Sequence, residues 1–278
     1  MKETLRHLDF VMAESNLAIH HYNSANVHRI SFFYLGLLER IYAGTKSLKL
    51  LIENLDQDPT HEFAAGLVAR TLILDFMIGA RGYQVLKSVQ EAGKEPHEEK
   101  SEVTEYCNII LGAGVTHTLK DLKAFQTGGG ISEAQLHEAF ANMAGKYEAF
   151  LQPYNNDGVA PAGRFPKAPQ VKKIFECLAA GNDEMKGLSK YYNTYSFYSK
   201  YEHFGLLSYD LMRRLEQQQQ STLKQSLDLM VLHTFICLQV MLEIAPDNFL
   251  EEKAELVGEY LKYEVLKVPV EKEKAADK

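Results

Sequence analysis

Tyr195, Ser199 and His203 stand four residues apart, and Asp210 follows seven residues later, in YYNTYSFYSKYEHFGLLSYD. A phenol, a hydroxyl and an imidazole so spaced share one side of a helix, because each four-residue step turns the side chain by roughly 40°. Serine and histidine on adjacent turns are the start of a nucleophile and its general base. Asp210 falls roughly 10 Å beyond His203 along the axis, too far to orient that imidazole as a triad acid must. No G-x-S-x-G elbow accompanies the row. It reads as a hydrogen-bonding track, with His203 the candidate general acid or base.

Arg70 and Asp75 sit in FAAGLVARTLILDFMIGA, where nearly every other residue is apolar. Five residues separate them by roughly 140° around a helix, so they do not pair on one face. A buried charge without a partner costs several kcal/mol, so each needs water or a group from another helix. Asp210 for Arg70 and His203 for Asp75 are the natural cross-helix partners; solvent at the edge of the apolar stripe is the alternative. If Arg70 faces Tyr195, Ser199 and His203, the result is a polar pocket for a small anionic ligand, with nucleotide-like molecules among the candidates.

Other chemistries lack their signatures. No Glu is followed three residues later by His, and no H-x-x-H, H-x-x-x-H or C-x-x-C occurs. Glu133 and His137 read as a surface pair, and Glu14, His21 and His28 align only if one helix runs through Ser24. No metal and no cofactor are expected. Gly128–Gly130 lacks the lysine and the preceding strand of a phosphate loop, and reads as a hinge.

The elements that carry these residues are helical, with no strand-like alternation. A first helix covers about Glu3–His21, and Ser24 caps a second ending near Asn54. Thr60 caps a third that forms a hairpin with the second. A fourth spans Val103–Leu111, with Gly112 and Gly114 weakening its continuation to Phe125. Ser132 and Gln135 form a capping box for a helix to about Leu151. The proline-rich segment 152–170 reads as a cover, with Arg164 and Phe165 able to reach a ligand. A helix from Val171 ends at Gly181; Asn182 or Asp183 then caps the tyrosine-rich helix, expected to reach Glu216. Gln217–Gln220 reads as a turn before the apolar helix Ser221–Ala245, and a last helix covers Asp247–Val265. The fold class is all-α, a single-domain bundle of eight or nine helices over residues 1–268, with a disordered tail at 269–278.

An arginine-bearing apolar helix followed by a helix with Y-x-x-x-S-x-x-x-H resembles an uncharacterised bacterial family of all-helical domains. The resemblance covers about two-thirds of the chain. It implies that Arg70 and Asp75 form one functional group and Tyr195, Ser199 and His203 another. The family has its acid four residues after the arginine, where this chain has Leu74. Such domains are similar to HEPN-type bundles, whose nucleases carry a histidine four to six residues after an arginine. No arginine here has one, so ribonuclease activity does not carry over.

With 278 residues and a net charge of −7, the chain lacks the cationic excess of a general nucleic-acid binder. Three widely spaced cysteines fit no disulfide framework and point to a reducing cytoplasm. The run Leu227–Ala245 is interrupted by Asp228, His233, Gln239 and Glu243, which favours a core helix over a membrane span. The leading reading is a cytoplasmic binding or regulatory protein for a small anion. The alternatives are a hydrolase of nucleotides or phosphoesters using His203, and a homo-oligomeric module whose tyrosines form the interface.

Overall fold

Helix starts in this chain are set by side chains that meet otherwise unpaired backbone N–H groups. Ser101 Oγ accepts from Thr104 N, Asn182 Oδ1 from Met185 N, and Asp247 Oδ1 from Leu250 N. Ser132 and Gln135 satisfy one another's backbone N–H at 2.9 and 3.2 Å, the expected capping box. The computed structural model describes residues 2–22, 28–55, 57–58, 60–94, 101–146, 167–202 and 216–269.

The α-helices are α1 (Lys2–Tyr22), α2 (Arg29–Glu53), α3 (His61–Glu91), α4 (Glu102–Thr127), α5 (Glu133–Lys146), α6 (Val171–Ala179), α7 (Asp183–Ser189), α8 (Tyr191–Glu202), α9 (Glu216–Ile244) and α10 (Asn248–Tyr260). A single π-helical turn, Leu261–Val265, continues from α10. No strand occurs among the described residues, and the fold is all-α. The chain forms two compact units, Met1–Gln84 with Ile174–Lys278, and Val85–Lys173.

In the first unit α9 is the central helix. Leu227, Met230 and Leu238 are buried on one side of it and Leu229, Ile236 and Val240 on the other, and it lies against α1, α2 and α10. Leu8 and Val11 of α1, with Tyr34, Leu38 and Ile41 of α2, complete that side of the core. α3 and α9 are each long and apolar enough to cross a membrane, but more than half of each apolar window is buried inside the fold. The core-helix reading accounts for their composition without a bilayer. In the second unit Val115 and Leu119 of α4 pack with Phe140 and Met143 of α5.

Several boundaries differ from those read in the sequence. α2 starts at Arg29, capped by His28 Nδ1, and Ser24 lies outside the described residues. Before α3, Asp58 Oδ1 accepts from both the N–H and the hydroxyl of Thr60, a local turn that leads into the helix. α4 runs unbroken through Gly112 and Gly114: each glycine costs about 1 kcal/mol of helix propensity, which the contacts of Val115 and Leu119 with α5 offset. It stops at Gly128, and Gly129 adopts φ +77°, so the triple glycine is a turn. The run from Asp183 to Glu202 is two helices rather than one, and residues 203–215 lie outside the described residues. It is broken at Lys190, where Ser189 Oγ donates to the Lys186 carbonyl and competes with the helical ladder. The glutamine run is helical, as its propensity allows, and opens α9.

Asp247 does two jobs in the first unit. Besides capping α10, its carboxylate accepts from the Tyr22 hydroxyl of α1, and burial beside that carboxylate pushes the phenol's pKa up. Asp247→Ala is expected to lower stability by about 1–2 kcal/mol, read as a shift in the urea midpoint, whereas Asp247→Asn retains most of the cap.

Candidate functional site

Arg70, on α3, turns toward α8. Its Nε donates to Ser199 Oγ and its Nη2 to Tyr195 Oη, both at 3.2 Å. The guanidinium carbon also sits 5.1 Å from the centre of the Tyr195 ring, within cation–π range. Three of the five site residues named from the sequence therefore meet in space. His203, the candidate acid–base group, and Asp210 lie outside the described residues, as do Arg164 and Phe165.

The spacing on α8 explains the convergence. Tyr195 and Ser199 are one turn apart and offer two oxygens along one side, at a separation a planar guanidinium can span. Their roles differ. Ser199 Oγ accepts from Arg70 and donates its own proton to the Tyr195 carbonyl at 2.8 Å, so both its functions are used within the protein. Ser199 thus holds the guanidinium in place. The direct Tyr195–Ser199 side-chain link expected from the sequence is replaced by this bridge through Arg70. Tyr195 Oη accepts from Arg70, which leaves the phenolic proton to donate elsewhere. Among the described residues no acceptor meets it.

α8 can approach α3 this closely because position 66 has no side chain. A Cβ built at Gly66 would lie 2.8 Å from the rings of both Tyr198 and Tyr201. Those two rings are buried there, with Tyr201 stacked on Phe63 at 5.1 Å. The tyrosines of α8 thus divide into a buried pair and the half-buried Tyr191, Tyr192 and Tyr195.

Asp75 belongs to a different environment. It is buried and accepts from Arg40 Nε of α2 at 2.8 Å, a partner the sequence reading did not consider although Arg40 lies in the apolar run LLERIY. Burial raises its carboxyl pKa and the Arg40 charge pulls it partly back. Nearby on α9, Cys237 is fully buried, and burial together with the Asp75 charge raises its thiol pKa well above the ordinary value. His233, one turn earlier, is fully buried against Phe76 and Gly79. Neither of its ring nitrogens has a hydrogen-bond partner among the described residues, and burial lowers its pKa to about 3. Beside the Asp75 carboxylate, the interior thus holds a thiol and an imidazole that were not among the site residues expected from the sequence.

The metal candidates are occupied otherwise. Glu14 pairs with Lys253 at 3.3 Å, His21 stacks on Phe249, and His28 caps α2. Glu133 and His137 are both exposed on α5. No group of three or more His, Cys, Asp or Glu residues that could hold a metal occurs among the described residues. No family model matches the chain, and no curated protein or solved structure matches it either.

Proposed function

We propose that the protein binds a small anion at Arg70 and the Tyr195 hydroxyl, and acts as a cytoplasmic binding or regulatory protein. The observation that carries this reading is the direction of the hydrogen bonds. A phenol that accepts from a guanidinium is polarised by that charge, and its proton is left to donate to an acceptor brought from outside. Ser199 fixes the guanidinium beforehand, so less ordering is needed when the anion arrives. The proposed likeness to the helical family with Y-x-x-x-S-x-x-x-H fits the same grouping of arginine, tyrosine and serine. Three free cysteines, two of them buried, fit a reducing compartment.

Calorimetric titration with inorganic phosphate tests the reading. Wild type is expected to bind, Arg70→Ala to lose at least 30-fold in affinity, and Tyr195→Phe to lose at least about 10-fold, the worth of one hydrogen bond to a charged group. If Arg70→Ala lowers the melting temperature while wild type shows no phosphate binding, Arg70 serves only to dock α8 and the reading fails.

A further inference from the structure

α1 and α10 meet along a seam that shares no residue with the anion site. Phe10 stacks on Tyr260 with ring centres 3.7 Å apart, Glu14 pairs with Lys253 at 3.3 Å, and His21 stacks on Phe249 at 4.0 Å. The partners on α10 retreat as those on α1 advance, so the helices are antiparallel. On both, these positions leave room for one more at three- and four-residue spacing, filled by Leu17 and Leu256. Those two leucines are 45% and 39% exposed, while Glu14, one turn from Leu17, is buried.

The α10 border of the seam is acidic. Glu251, Glu252, Glu255 and Glu259 are all exposed. Glu252 reaches Lys253 at 3.4 Å, but Glu251, Glu255 and Glu259 have no cationic partner among the described residues. These three recur every four residues, where like charges repel one another, so a cation laid along them relieves a strain within α10. A second copy would bring the same glutamates to the contact, and an anionic bilayer would be repelled; a cationic partner is attracted.

We infer that the α1–α10 seam docks a basic amphipathic helix of a partner protein. Its apolar side chains cover Leu17 and Leu256, and its lysines or arginines lie beside Glu255 and Glu259. A helix laid in a groove offers its anchors at three- and four-residue spacing, the period at which the seam itself is built. Docking removes the two leucines from water and neutralises the unpaired glutamates.

The test is fluorescence anisotropy of a labelled leucine–lysine peptide, with leucine at i, i+3, i+4 and i+7, titrated with the full chain. Wild type is expected to bind it at least about 10-fold more tightly than the same pattern with glutamate in place of lysine. Leu17→Ser combined with Leu256→Ser is expected to lose at least about 10-fold. Glu255→Lys, at an exposed position, tests the seam independently should that double variant not fold, and is expected to lose about 5-fold or more. Glu39→Lys, exposed on α2, makes the same change in net charge and is expected to leave affinity within about 2-fold. Absence of binding at high micromolar concentration, undiminished affinity in the folded serine variant, or equal losses in Glu39→Lys and Glu255→Lys overturns the assignment. So does concentration-dependent dimerisation in sedimentation velocity that the serine variant abolishes, which makes the seam a contact between copies.

Discussion

Lowering the pH from 6.5 toward 4 is expected to destabilise the protein through His233 by up to about 1.4 kcal/mol per pH unit. The imidazole is fully buried and unpartnered among the described residues, and its pKa of about 3 lies well below the ordinary 6.5. As the pH falls, the unfolded chain takes up the proton first, so this stability is complete above pH 6.5 and lost down to about pH 3. Asp75 acts in the opposite sense. Its raised pKa makes the native state hold a proton the unfolded chain releases, so its contribution is present below the ordinary value of 3.8 and lost as the pH rises through the native one. Urea unfolding at pH 7, 6, 5 and 4 should show a steeper fall in Asp75→Asn than in wild type. It should show a markedly flatter one in His233→Phe, which keeps an aromatic ring against Phe76 and removes the titration. Equal slopes in wild type and His233→Phe would sink the assignment.

Gly66→Ala is the second large effect, an expected loss of about 1–3 kcal/mol from forcing a methyl group against two buried rings. At roughly 2–4 °C per kcal/mol for a domain of about this size, the melting temperature should fall by several degrees. The 2.8 Å approaches are to Tyr198 and Tyr201, whose rings cannot swing away within the core. Gly36, in α2, has nothing within 4 Å of a built Cβ. Gly36→Ala is therefore expected to be neutral or stabilising by up to about 1 kcal/mol, from helix propensity and reduced freedom of the unfolded chain. Displacing α8 also moves Tyr195 and Ser199 relative to Arg70, so Gly66→Ala should weaken phosphate binding where Gly36→Ala does not. Equal thermal shifts in the two variants would show that the helices yield at Gly66.

The local rules that place helix ends were readable wherever one short-range interaction dominates. Ser132 with Gln135, and Asn182 before Met185, are such cases: cap and N–H lie three residues apart and no other part of the chain competes. The rules misled where tertiary contacts compete with propensity. The apolar side chains around Gly112 and Gly114 carry α4 straight through them, and the hydroxyl of Ser189 ends α7 inside a run that reads as continuously helical. Arg70, Tyr195 and Ser199 could be singled out from type and spacing because polar groups in regular array on an apolar, aromatic helix are costly unless they are used. The partner of Asp75 was missed because Arg40 lies on another helix, and nothing in the sequence measures the distance between them.

The sequence by itself determined the all-α class, most helix boundaries, and which residues of α3 and α8 had to find polar partners. These follow from periodicity, capping and desolvation cost, all of which act within a few turns of chain. Only the tertiary structure decided that Arg70 bridges Tyr195 and Ser199 while Asp75 is held by Arg40. Only it separated the buried pair Tyr198 and Tyr201 from the half-buried row of Phe175, Tyr192 and Tyr195. Those outcomes depend on how closely two helices approach, and here that is fixed by the missing side chain of Gly66 and the shapes of the rings packed against it.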